Sequence, residues 1–169
     1  MYWNFEYNRI KASYTDFLWF HFGALFLNTI IVILLKDKIF IAPSLYITMW
    51  LCKDSFNGRS IGKRKYYYQV VDERTNIVAS PLQCWIRNFT FIFLHVIEII
   101  VLLSNPQNKT WGESITHTKV VRFIGVKNKC TLKHKIEALL IIIATLVFTL
   151  ITIVPLTNWL LSLDGRFNF

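Results

Sequence analysis

The segment from Ile136 to Leu161 holds a single ionisable side chain, Glu137, among residues that are otherwise almost all apolar or hydroxyl-bearing. A helix of about 20 such residues matches the hydrocarbon thickness of a bilayer, and a chain this short has no second layer of protein in which to bury it. Three further apolar stretches precede it: Ala12 to Leu35, Ile39 to Cys52 and Leu82 to Leu103. Only 17% of the 169 residues are charged and 54% are apolar, whereas a soluble domain carries about a quarter charged residues. The fold class expected is an all-α integral membrane protein, a small helical bundle.

Charge sets the expected topology. The run from Phe17 to Leu35 is too long for a signal-peptide core and has no small-residue cleavage site after it, so it stays in the membrane. Lys36-Asp37-Lys38 forms a tight link that makes Ile39 to Cys52 the return leg of a helical hairpin, lengthened by Lys38 and Lys53 snorkelling outward. Four full crossings would put the basic loop Ser104 to Lys135 outside, against the positive-inside rule. The third stretch is the one to withdraw from the membrane. Arg87, Asn88, His95 and Glu98 interrupt it, and a charge near the bilayer centre costs at least about 2.5 kcal/mol. The expectation is three full transmembrane helices plus one re-entrant or interfacial helix, with the N-terminus and both basic loops, Lys53 to Pro81 and Ser104 to Lys135, cytoplasmic. Tyr66 to Asp72, a polar turn at Glu73 to Asn76, and Ile77 to Ala79 read as a short cytoplasmic β-hairpin. Thr118 to Phe123 offers a third strand.

Several chemistries are excluded. Cys52, Cys84 and Cys130 are far apart and lack metal-ligand spacing, so they read as free thiols with no metal site. Gly58 to Lys65 has the wrong glycine spacing for a phosphate loop and lacks the Mg²⁺-binding hydroxyl. No nucleophile, base and acid stand in register, so no catalytic residues, no cofactor and no enzyme activity are expected. The charge of +9 is accounted for by two membrane-flanking loops without a nucleic-acid module. Arg59, Lys63, Arg64 and Lys65 read instead as a membrane-surface cluster meeting anionic lipid headgroups, with Tyr66, Tyr67 and Tyr68 at headgroup depth. Gly58 and Gly62 permit a tight turn into the hairpin.

The chain contains Arg9-x-x-Ala12-x-x-x-Asp16, then Asp54 to Arg64 with Ser60-Ile-Gly-Lys-Arg, then Val70-Val-Asp72, Arg87-Asn88, and Gly112-Glu113 followed by Ile115, Thr118 and Val120-Val121. In this order the pieces resemble the RDD family of small integral membrane proteins, with Glu113 where the family has its second aspartate and Thr116-His117-Thr118 where it has smaller residues. The resemblance covers residues 9 to 122. It implies an RDD-like membrane domain over residues 1–122; beyond the matched region the charge and apolar pattern gives a basic cytoplasmic linker over 123–135 and an additional C-terminal transmembrane helix with a short tail over 136–169. It further implies a multi-pass protein of a prokaryotic inner membrane, in a family some of whose members are proposed as sodium/proton antiporters.

The residues themselves give a candidate polar or ion site at Arg9, Asp16, Arg87, His95 and Glu98, to which the resemblance adds Glu113. Arg9 and Asp16 are nearly two helical turns apart and share a face. Ala12 and Gly23 lie close to that stripe and would admit another helix. Asp16 then has two readings: a buried carboxylate that binds a cation or proton, or an anchor paired with Arg9, Arg64 or Arg87. His95 and Glu98, neighbours at i and i+3, form either a proton relay with Arg87 on the same face or the solvated face of an interfacial helix. His21 reads as a hydrogen-bonded bundle residue. Two functions follow. One is a non-enzymatic membrane scaffold or accessory protein working as a homo-oligomer or within a larger complex. The alternative is an oligomeric cation/proton antiporter.

Overall fold

The computed structural model describes residues 3–35, 41–93, 97, 100, 101, 104, 109–123 and 131–164. Among them are six helices and two strands: α1 (Trp3–Leu35), α2 (Ile41–Leu51), α3 (Ile61–Lys65), β1 (Tyr68–Asp72), α4 (Pro81–Phe93), α5 (Trp111–Thr116), β2 (Thr118–Arg122) and α6 (Leu132–Asp164). The Lys36-Asp37-Lys38 link, His95, Glu98, Cys130 and most of the 123–135 linker lie outside the described residues.

Of the three membrane crossings expected, the described residues supply one candidate. Among the described residues one helix, Leu132–Leu156 within α6, is long and apolar enough to cross a bilayer by length and composition. The expected return leg, α2, is only 11 residues, about 16 Å, roughly half the hydrocarbon thickness. Nor is the fold all-α, because β1 and β2 pair antiparallel with Tyr68 opposite Arg122 and Asp72 opposite Thr118. The expected hairpin shrinks to one bridge, Val71 with Val78, flanked by the Asp72 amide to the Ile77 carbonyl and the Ala79 amide to the Val70 carbonyl, while the third strand expected at 118–123 forms the longer pairing with β1 over 118–122. Asp72 shapes the intervening turn by accepting the Arg74 and Thr75 amides at 2.9 Å.

Short-range chemistry starts each element. Ser80 and Gln83 form a reciprocal cap on α4, the Gln83 amide reaching Ser80 Oγ and the Ser80 amide reaching Gln83 Oε1, with Pro81 in the first helical position, where no amide is needed. Thr131 caps α6 by accepting the His134 amide, so Lys133 and Lys135 belong to the helix rather than to a linker. Asn57 and Gly58 take successive left-handed conformations, and this reversal delivers the chain to α3. A side chain at Gly58 would meet Val70 O at 2.5 Å.

Gly62 serves packing rather than a turn. A Cβ there would lie 2.0 Å from the Ala12 carbonyl oxygen and 2.9 Å from Asp16 Oδ1, so α3 lies directly on α1. At Gly23, by contrast, an added Cβ would meet nothing within 4 Å among the described residues. α6 packs on α2 and α4 rather than on α1. Its hydroxyls supply the polar seam: Thr149 meets Thr48 at 3.2 Å, and Thr145 accepts the Trp85 indole N–H at 2.9 Å. The rings of Phe17, Phe20, Tyr46, Trp50 and Phe91 join α1, α2 and α4 through edge and stacked contacts. Much of α6 faces outward, with Leu140, Ile143, Phe148 and Ile151 all more than half exposed.

These two glycines give opposite expectations for alanine. Gly62→Ala should destabilise by about 1–3 kcal/mol, because a backbone oxygen blocks the new methyl, whereas Gly23→Ala should stabilise α1 by about 0.5–1 kcal/mol. Thermal unfolding of the two variants in one detergent checks the sign.

Candidate functional site

Sequence-distant residues converge on a buried polar junction built around Asp54, which is 0% exposed. The turn after α2 places it there. Lys63 Nζ reaches both its oxygens at 2.8 and 2.9 Å, Arg87 Nη2 reaches Oδ2 at 2.6 Å, and the Ser60 amide reaches Oδ1 at 3.0 Å. Burial alone would raise the pKa of Asp54. The adjacent Lys63, Arg87 and Lys53 charges outweigh that and hold it well below the usual carboxylate range. Burial likewise works against the Arg87 guanidinium, but Asp54 and Glu113 hold it above its ordinary value.

Arg87 continues the chain of charges. Its Nη1 lies 3.5 Å from Glu113 Oε1, and Arg9 Nη2 reaches the same oxygen at 2.6 Å. Glu113 has a second task at its other oxygen. Oε2 accepts the Thr110 amide at 3.2 Å while Thr110 Oγ1 accepts the Glu113 amide at 3.3 Å, a complete capping box for α5. The longer acid at this position suits both tasks, because a capping box takes Glu or Gln at the third residue of the helix. Gly112 lets α5 sit on α4: a Cβ would lie 2.4 Å from Thr90 Oγ1 and 3.0 Å from the Arg87 carbonyl.

Asp16 is buried in the same region but is not paired as the anchor reading expected. Among the described residues it has no cation within ion-pairing distance. It accepts the Ser60 hydroxyl at 2.5 Å and the Gly62 amide at 2.6 Å, thereby capping the short helix that Gly62 brings against Ala12. Arg9, the expected partner, goes to Glu113 instead. Of the candidate set, Arg9, Arg87 and Glu113 thus meet directly and Asp16 lies beside them, while His95 and Glu98 are outside the described residues. The basic cluster divides. Lys63 turns inward to Asp54, Arg64 and Lys65 are exposed, and Arg59 stacks over Phe123 at 4.1 Å. His21 bridges α1 and α2 through Tyr46 and the Phe17 carbonyl.

Three residues central to the junction escaped the sequence reading as site residues: Asp54, Ser60 and Lys53. The usable signal was Asp54 itself, an acid standing immediately before a basic stretch and directly after an apolar segment. The junction encloses a cavity of 340 Å³ lined by Arg9, Lys53, Lys63, Arg87, Asp16 and Glu113, together with apolar side chains of α1 and α4. Among the described residues, no group of three or more His, Cys, Asp or Glu side chains is arranged to hold a metal ion. No family model, no curated protein and no solved structure matches the chain.

Removing one partner from a buried pair leaves the other uncompensated. Asp54→Asn should cost about 3–5 kcal/mol, more than any single exposed charge. Because the folded pKa of Asp54 lies below its unfolded value, its contribution is fully present above the unfolded value, near pH 4. It is lost as pH falls below that toward the folded value. Acid-unfolding curves should show this limb in the native chain and a weaker one in Asp54→Asn, where only other acids such as Asp72, held at about 2 by Gln83 and by the Thr75 amide, still titrate.

Proposed function

We propose that the chain is a non-enzymatic membrane scaffold or accessory protein of RDD type, anchored by α6, whose buried charges hold its polar portion in one shape. The carrying observation is the saturation of the carboxylates. Asp54 accepts from Lys63, Arg87 and the Ser60 amide; Glu113 from Arg9, Arg87 and the Thr110 amide; Asp16 from the Ser60 hydroxyl and the Gly62 amide. A cation would have to displace these donors. Exchange of a cation for a proton also requires a carboxylate that titrates near working pH, and Asp54 is driven the opposite way.

Membrane anchoring is supported by the outward apolar surface of α6, which would carry a large exposure penalty in water. Orientation follows from charge: Lys133 and Lys135 at the start of α6, with Arg64 and Lys65 on α3, are exposed, and such residues favour the cytoplasmic side. The resemblance to the RDD family draws support from the meeting of its scattered pieces, Arg9, Arg87 and Glu113, in one network. A scaffold of this size is expected to act on a partner or on further copies of itself.

Two measurements test the reading. Proteoliposomes containing the full chain should show no sodium-driven proton movement between about pH 6 and 9, the range in which a working exchange site titrates. Exchange that disappears in Asp16→Asn would overturn the scaffold assignment in favour of antiport. An impermeant maleimide should label Cys130, just ahead of α6, in inverted vesicles and not in intact cells; the reverse pattern would overturn the orientation.

A further inference from the structure

The junction leaves one positive charge over. Arg9, Lys63 and Arg87 each hold a carboxylate oxygen at 2.6 to 2.8 Å. Lys53 lines the same cavity and, among the described residues, has no carboxylate within ion-pairing distance. Its ammonium lies 4.1 Å from the centroid of the Trp50 ring and 5.0 Å from that of Phe91, contacts that attract a cation without neutralising it. Around the junction these four cations face three carboxylates, Asp16, Asp54 and Glu113. Burial and the neighbouring Lys63, with a smaller contribution from Arg87, lower the pKa of Lys53 to about 8, against the opposing pull of Asp54 and Asp16. Burial is the larger cause, and it disfavours the charged ammonium where no carboxylate is paired with it.

The wall of the cavity has a second character. Phe17 and Tyr14, which also line it, continue onto the outward face of α1, where they are 38% and 61% exposed, and Phe91 lies on the α4 side. The Ser13 hydroxyl is in the wall and makes no hydrogen bond among the described residues. At 340 Å³ the space falls within the range of small-ligand sites, about 300–1,000 Å³. It therefore suits a ligand with an anionic, hydrogen-bond-accepting head and an apolar body. Inorganic phosphate shares the chemistry of that head but would leave the aromatic wall uncovered.

We propose that this cavity binds the phosphodiester headgroup of an anionic phospholipid, with Lys53 as its counter-charge, Ser13 as a donor, and the acyl portion lying over Phe17 and Phe91. The proposal rests on the membrane reading above and adds a defined lipid site to it. A headgroup there would complete the charge balance of the junction. It would also fix the depth at which α1 and α4 sit against the membrane surface.

The test is native mass spectrometry of the full chain in detergent, titrated separately with phosphatidylglycerol, phosphatidylcholine and inorganic phosphate. Phosphatidylglycerol should be retained over phosphatidylcholine by roughly fivefold or more, what one basic residue contributes near a membrane surface. Millimolar phosphate should not displace it. Lys53→Gln and Lys53→Met, the latter keeping an apolar stem over Trp50, should lose the preference. Lys53→Arg should keep it, and Arg74→Gln, exposed in the turn after β1, should behave as the native chain. Equal retention of the two lipids by the native chain overturns the proposal. So does a folded Lys53→Met that keeps the preference, or phosphate binding with no lipid preference. Alkaline extraction of membranes separates the two levels: a chain that stays in the membrane fraction without a headgroup preference sinks the lipid site alone, and a chain that is extracted sinks the membrane reading with it.

Discussion

A carboxylate with no solvent exposure has to be neutralised by its surroundings, and the fold is organised around doing this for Asp54. Two cations from different elements, Lys63 of α3 and Arg87 of α4, converge on it. Because Arg87 also faces Glu113, and Glu113 holds Arg9, the requirement propagates from the turn after α2 to α4, then to α5, then back to α1. Desolvating so many charges brings little net stability, and a well-packed apolar substitute could match it. What an alternating series of charges does provide is register: an element shifted by one turn would leave a buried charge unpaired, and the penalty for that is steep.

The same geometry separates two uses of buried acids that look alike in a sequence. A transport carboxylate must exchange partners within a working cycle. Those of this junction are held by main-chain amides as well as side chains: Ser60 to Asp54, Gly62 to Asp16, Thr110 to Glu113. Amides at the starts of helices cannot move away without the helix moving too. These three acids are thus tied to the helices that hold them, whereas Lys53 has no carboxylate partner among the described residues.

How much of this the sequence disclosed depended on the kind of signal. Arg9 and Arg87 stood out because charges beside or within apolar segments are conspicuous, Glu113 only through the resemblance, and the three do meet. The small residue Ala12 marked a close approach, although its neighbour is the five-residue α3 rather than a long helix, and Gly23 marked none. Asp54 and Lys63 were hidden because their surroundings, a glycine-bearing basic stretch, read equally well as a solvated loop; only the folded chain shows Lys63 turning inward. Apolar content disclosed one helix long and apolar enough to cross a membrane among the described residues, Leu132–Leu156, where three were expected. α2 is rich in apolar residues because it packs against α1 and α6, and its length follows from that role. The strand at 118–122 was legible from its local pattern, but that it, rather than 77–79, would be the longer partner of β1 was not.

The hydroxyls along α6 have a consequence for how that helix sits. Where lipid surrounds a helix, exchanging one apolar neighbour for another changes little in free energy, so a smoothly apolar rod has no preferred rotation about its axis. Thr145 and Thr149 break that symmetry. Both point to one side, where Ser44, Thr48, Cys52 and Trp85 receive them. They act as a key in a slot, fixing both the angle and the height of the anchor relative to the polar junction. A pull or tilt applied to α6 within the bilayer would then be delivered through this seam to α2 and α4, and from α4 to Arg87.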